Sequence, residues 1–396
     1  MTEFVDQAQE LFTYTQAIRR DLHKHPELGF KEVRTAGVVA RELESLGLEV
    51  RKGIAKTGVV ALLEGTAPGP TVLLRFDMDA LPIQEDTNAE YASSTPGVMH
   101  ACGHDGHTAI GLSVVRILHA RRNELVGSIK FCFQPCEEGF GDEGIGGNES
   151  MIREGVLDAP KVDHTLALHL WNDKPVGWLG IAAGPVMAGA ELFTIKLTGK
   201  GGHGASPHLA VDPIVAASQL VGALQTITSR NVAPLESAVV SVTTMHSGTA
   251  FNVIPQMAEL TGTIRTFDPA VRQTVLDRFD KVVHGVGEAL GCRVELQAER
   301  VTPAVINDSS LATRAQSVAR RVLPECELDT TGYTTMGAED MAFMQERVPG
   351  CFFFVGSNNT SKGLDFGHHH PRFDFDEDAL PKAAALMAAA AADLLR

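Results

Sequence analysis

Apolar positions open the chain at helical spacing. Phe4, Ala8, Leu11, Phe12, Ile18 and Leu22 recur along residues 4–24, and residues 33–46 repeat the pattern before Gly47 offers a C-terminal cap. This predicts two opening helices. Val59–Leu63 and Thr71–Phe76 are short runs of β-branched and aliphatic residues bounded by Gly and Pro, as buried strands are. Helical stretches then alternate with strands at 127–133 and 163–170, so the first half reads as an α/β layer with a central sheet covered by helices.

From about Glu191 the pattern changes. A strand (Leu192–Leu197), a helix (Pro213–Thr228), strands near 238–245 and 257–266, a helix over 269–290 and a strand over 292–298 follow in the order of a ferredoxin-like split βαβ sandwich. After Pro303 the α/β pattern resumes, with helices near 308–322 and 337–346, a strand at Cys351–Val355 and an Ala-rich closing helix. The expected fold is α/β. A discontinuous domain of residues 1–187 and 301–396, with a mixed central sheet, is interrupted by an inserted α+β domain of residues 188–300.

Length and charge narrow the function. At 396 residues the chain exceeds one ordinary core, and 44% hydrophobic with 21% charged residues places it among globular proteins. Asp and Glu number 49 against 34 Lys and Arg, and the formal charge of −15 would repel a phosphate backbone, which excludes nucleic acid as a partner. The first residues, Met1 to Asp6, carry no basic segment followed by an apolar run, and no apolar stretch is long enough to span a bilayer. A cytoplasmic, soluble protein without a membrane partner is expected. Its six cysteines read as mostly buried thiols rather than a disulfide framework, with Cys102 as the exception to argue for.

Four segments offer groups that bind metals. Cys102 and His104 sit two residues apart in His100–His107, just before an apolar helical run. Glu137 and Glu138 follow the strand ending at Phe133, where adjacent acids cannot both point the same way. His169 lies in a strand-like run, and His368, His369 and His370 precede Pro371. Taken singly, each has a structural reading: a buried thiol, a solvated loop, a hydrogen-bonded strand histidine.

Their order changes the weight of each. Arg20 to Gly29, Arg75-Phe76-Asp77-Met78-Asp79-Ala80-Leu81-Pro82, His100 to His107, Gln134 to Gly139, Leu168-His169, Gly337-Ala338-Glu339-Asp340 and His369-His370-Pro371 together resemble the M20 metallopeptidase superfamily, and within it the amidohydrolase branch that includes hippurate hydrolases and N-acyl-amino-acid and indole-acetyl-amino-acid hydrolases. The resemblance implies that Cys102, His104, Glu138, His169 and His369 hold two divalent ions, of Zn, Mn, Co or Ni. It also implies that Asp79 orients a ligand and that Glu137 is the general base. It makes the inserted domain a lid and dimerisation domain. There His203 would stand near the oxyanion, often from a partner subunit, and Asn252 and Arg265 would bind substrate. It assigns no role to Asp77, Asp105 or His107.

The implied reaction is metal-dependent hydrolysis of N-acyl amino acids by a homodimer or higher oligomer. A metallo-aminopeptidase or dipeptidase is the alternative. A non-catalytic metal site would need Glu138 but not Glu137. The loop over residues 140–150, with Asp142 and Glu143, is longer than the pattern and leaves specificity open.

Overall fold

The computed structural model describes residues 2–139 and 144–395. The chain opens with α1 (Thr2–Glu10), α2 (Phe12–Lys24) and α3 (Val33–Ser45). The first two meet at Leu11, whose N–H still reaches the Gln7 carbonyl at 3.1 Å, so the apolar face read as one helix is nearly continuous. Then come β1 (Glu49–Ile54), β2 (Gly58–Glu64), β3 (Thr71–Asp77), α4 (His104–Ala120), β4 (Ser128–Gln134) and α5 (Gly147–Arg153). Next are β5 (His164–Pro175), β6 (Trp178–Gly180) and β7 (Gly184–Met187). They are followed by β8 (Gly189–Thr198), β9 (Gly202–His203), α6 (Pro213–Arg230), β10 (Ala238–Ser247), β11 (Val253–Ile254), β12 (Met257–Thr266), α7 (Pro269–Ala289) and β13 (Arg293–Thr302). The chain ends with β14 (Val305–Asn307), α8 (Ser309–Val322), β15 (Glu327–Asp329), α9 (Ala342–Gln345), β16 (Gly350–Asn358) and α10 (Ala379–Leu394).

Two compact units result. The first comprises Met1–Val186, Ile306–Tyr333 and Asp340–Arg396, and the second Met187–Val305 with Thr334–Glu339.

The first unit is a mixed α/β layer. Its eight-stranded sheet runs β1-β2-β4-β3-β5-β16-β6-β15. β3 lies parallel to β4 and β5, and β5 parallel to β16, whereas β2 is antiparallel to β1 and β4. Every residue of β3 is buried, as a central strand covered on both faces requires. The Ala-rich α10 is buried nearly all round, packing on α4, α1 and α8 with Leu380, Leu386 and Met387 buried among its alanines. In the second unit, β10-β12-β8-β13 form one antiparallel sheet, with α6 and α7 packed on it around Phe193, Leu220 and Phe279.

One element departs from expectation. Residues 337–346 read as a helix, but only Ala342–Gln345 is helical. The Asp340 carboxylate is drawn instead to Arg75 (3.0 Å), Gln134 (2.7 Å) and the Asn148 N–H (3.0 Å), which holds the segment outside helical geometry. Asp142 and Glu143 lie outside the described residues. Among the described residues no helix is long and apolar enough to cross a membrane. All six cysteines are free, and five are buried.

Candidate metal centre

The parallel strands β3, β4 and β5 deliver three segments to one edge of the sheet. Asp77 ends β3 opposite Gln134, the last residue of β4. Continuing the β3/β5 register two residues beyond Arg75 and Ala167 sets His169 level with both. In open α/β sheets this carboxyl edge is where ligands bind. Asp79 lies just past β3, Glu137 and Glu138 just past β4, and His104 is the first residue of α4.

All five expected ligands meet here. The donor atoms of Cys102, His104 and His169 lie within 4.8 Å of one another, and so do those of Cys102, Glu138 and His369. Cys102 Sγ stands 3.5 Å from His169 Nε2, and His369 Nε2 stands 3.1 Å from Glu138 Oε1. The backbone of His369 adopts φ 64, a region non-glycine residues rarely occupy, while its N–H donates to the Ala101 carbonyl at 2.8 Å. Glu137 shares the neighbourhood of His104 and Glu138 and is half-buried.

Hydrogen bonds fix which nitrogen of each ring is free. His104 Nδ1 lies 3.0 Å from the Asp79 carbonyl and 3.2 Å from its carboxylate, so it carries the proton and donates. Its Nε2 is buried and finds no hydrogen-bond partner among the described residues. His169 Nδ1 donates to the Leu170 carbonyl at 2.5 Å, which turns a bare Nε2 toward Cys102. Two imidazoles with their Nδ1 protons engaged and Nε2 lone pairs converging on a thiol and a carboxylate match the donor set of a transition-metal site. His107 differs. Its Nε2 accepts the Leu170 N–H (2.9 Å), so Nδ1 donates to Asp77 (2.6 Å), and neither nitrogen is left to ligate. Asp77 in turn is paired with Arg75 at 2.5 Å.

The field at this point is strongly negative. Burial disfavours a charged His104, yet the carboxylates of Asp77, Asp79 and Glu138 outweigh it and push the ring up to about 10. Burial, then the Glu138 and Glu137 charges, hold the Cys102 thiol well above its usual range. A divalent cation set among these carboxylates would answer their charge in place of those protons. The residues therefore fit divalent metal.

Asp105 points away from this centre. Its carboxylate accepts from Arg19 (2.8 Å) and lies 2.8 Å from His23 Nδ1, all three fully buried. Arg19 also reaches Asp374 (2.5 Å) and Glu377 (3.2 Å), so this network ties α2 to the start of α4 and to the segment before α10. His368 donates to the Leu170 carbonyl (3.0 Å) and packs on Trp171, with ring centroids 4.8 Å apart.

In the second unit, β9 pairs with β11 so that His203 faces Val253, and the Gly204 N–H donates to the Asn252 carbonyl at 2.8 Å. His203 and Asn252 are thus brought together, both exposed. Arg265 lies eight residues up β12 from Met257, roughly 27 Å at strand rise, half-buried and donating to the Thr263 hydroxyl. The fold does not place it beside that pair.

The residues that spacing did not single out are Glu32 and Asp340, polar groups whose burial is created by tertiary contacts. Asp340 stood in a quoted motif without a role, whereas Glu32 stood three residues beyond one.

Residues 73–393 match the family described as peptidase family M20/M25/M40. The chain is 47% identical over 299 residues to an N-acyl-L-amino acid amidohydrolase of Geobacillus stearothermophilus, covering 75% of this chain and 79% of that one. It is 40% identical over 378 residues to an N-acetylcysteine deacetylase of Bacillus subtilis, covering 94% of each. Among solved structures, a dinuclear metal-binding peptidase of the M20 family from Bacillus subtilis superposes with a TM-score of 0.85 at 37% identity, over 98% of this chain and 99% of that one.

Proposed function

Because the chain belongs to peptidase family M20/M25/M40 and is a metal-dependent amidohydrolase, we propose that its substrates are N-acyl amino acids, aromatic or aliphatic in the acyl part. It hydrolyses their amide bond to a carboxylic acid and a free amino acid. The relatives named for N-acyl-L-amino acid and N-acetylcysteine hydrolysis support this substrate class. The observation that carries the chemistry is the pair of donor clusters sharing Cys102, one with His104 and His169 and the other with Glu138 and His369, together with the buried, partnerless Nε2 of His104.

Cys102, His104, Glu138, His169 and His369 would hold two divalent ions, of Zn, Mn, Co or Ni; a thiolate with imidazoles suits these better than Mg. Held there, such ions would supply Lewis acidity toward the scissile carbonyl and the attacking water. Glu137, outside the ligand set, takes the proton of the attacking water and hands it to the leaving amine. Asp79 holds two ligands at once: one oxygen orients His104, and the other accepts the Glu138 N–H at 2.9 Å. From the second unit, which we assign as lid and dimerisation domain, His203 donates to the oxyanion, Asn252 contacts the substrate, and Arg265, at a separate place on β12, clamps a free carboxylate.

The test is a panel of N-acetyl, N-benzoyl and N-indole-acetyl amino acids beside free dipeptides, after chelation and re-addition of Mn²⁺, Zn²⁺ or Co²⁺. Amino-acid release from the acylated members is expected. Cleavage of free dipeptides alone would favour the dipeptidase alternative, and no cleavage with any metal would end the reading.

A further inference from the structure

Glu32 lies just before α3, fully buried and outside the ligand cluster. Its Oε1 accepts the Cys136 N–H at 2.8 Å, and its Oε2 accepts the Thr57 hydroxyl at 2.5 Å. Cys136 directly precedes Glu137 and Glu138 and adopts φ 47, a left-handed conformation that costs a non-glycine residue free energy and persists only where the surroundings impose it.

The surroundings do impose it. The Cys136 carbonyl accepts the Gly147 N–H at 2.8 Å, so both backbone polar groups of this residue are tied. A Cβ at Gly147 would come within 1.6 Å of the Pro135 carbonyl oxygen, and one at Gly29 within 2.7 Å of Cys136 Sγ, so only glycine permits either approach. Past this turn the two acids part. Glu138 Oε1 reaches His369, and Glu137 Oε1 faces the Asp340 N–H at 3.4 Å.

We propose that Glu32 is a positioning residue for the hydrolysis: its carboxyl group holds the Cys136 backbone in the left-handed turn and so sets where the Glu137 carboxylate meets the attacking water. The proposal rests on the reading of Glu137 as general base. What the turn needs from Glu32 is an acceptor oxygen rather than a charge. Burial, and next the Asp79 charge, push this carboxyl up to about 7, and its protonated form still offers a carbonyl oxygen to the Cys136 N–H. Gln should therefore substitute, and Ala should not.

The experiment compares wild type with Glu32→Ala, Glu32→Gln and Thr57→Val in the metal-loaded enzyme. It measures metal content, amide hydrogen exchange over residues 133–139, and kcat and KM on an N-acyl amino acid. In Glu32→Ala the Cys136 amide exchanges faster, metal content holds, and kcat falls on the order of 100-fold, the scale of a small misplacement of a reacting group, with KM little changed. Glu32→Gln keeps most of kcat. Thr57→Val, which loosens the carboxyl without removing it, falls between and serves if Glu32→Ala does not fold. Wild-type kcat or unchanged exchange in Glu32→Ala overturns the proposal, as does a Gln variant as impaired as the Ala variant. A wild type that cleaves no N-acyl substrate would instead end the functional reading, and the exchange data alone would then decide whether Glu32 fixes the turn.

Discussion

Three histidines crowd one corner of the first unit, and their second nitrogens separate them. His104 and His169 spend Nδ1 on carbonyl oxygens and turn Nε2 toward the cluster, that of His169 lying 3.5 Å from Cys102 Sγ, whereas His107 spends both on Asp77 and the Leu170 backbone. Spacing carried the two acids at 137 and 138, and only the family resemblance told the expected ligand, Glu138, from the expected base, Glu137. The structure sets Glu138 against His369 and leaves Glu137 beside it. Glu137→Gln should therefore retain wild-type metal content while kcat drops by about 10²- to 10⁴-fold, the usual contribution of a general base; metal analysis showing an empty site, or near-wild-type turnover, contradicts the assignment. A second prediction concerns pH. Burial opposes a charged His23, but the Asp105 carboxylate and the bonds to Asp105 and Glu85 outweigh it and raise the ring to about 9 from 6.5. A raised histidine stabilises the fold fully below its unfolded value and loses that contribution as pH climbs through the folded one. The stability of wild type over His23→Gln should be greatest below pH 6.5 and shrink through pH 9. Denaturant melts at pH 6, 8 and 10 check it, and a gap constant with pH contradicts it.

At the scale of elements, periodicity located the helices and strands because each buries one face or one run. It placed β3, β8, α6, α7 and α8 close to where they lie. Periodicity misread Gly337–Glu346, where Asp340 is recruited into a buried network with Arg75 and Gln134 that no local pattern announces. The candidate groups within contiguous motifs, Cys102 with His104 and Glu137 with Glu138, stood out by spacing, and the family resemblance gave each its expected role. His169 and His369 needed the family resemblance, since a strand histidine and a histidine triplet are locally ambiguous. Glu32 escaped both. The closing helix allows a direct test of packing. Ala388 is fully buried in α10. Ala388→Leu should lower unfolding free energy by about 1–3 kcal/mol through overpacking, measured by chemical denaturation. An unchanged midpoint would mean that the helix has room that the packing denies.

At the scale of the molecule, the first unit carries the complete candidate ligand set, and the second carries the adjacent His203 and Asn252. If His203 serves a partner's site, as we propose, mixing inactive Glu137→Gln with inactive His203→Ala should restore part of the activity after subunit exchange. Verified exchange without recovery would count against it. The central claim is that this carboxyl edge of the sheet holds two divalent ions and spends them on amide hydrolysis. It is tested most directly by titrating the chelated enzyme with Mn²⁺ while following amino-acid release from an N-acyl amino acid. The account predicts activity that is lost on chelation and saturates near two ions per subunit, with Cys102→Ala unable to reach it. Release that is independent of added metal, or unaffected by Cys102→Ala, would contradict it.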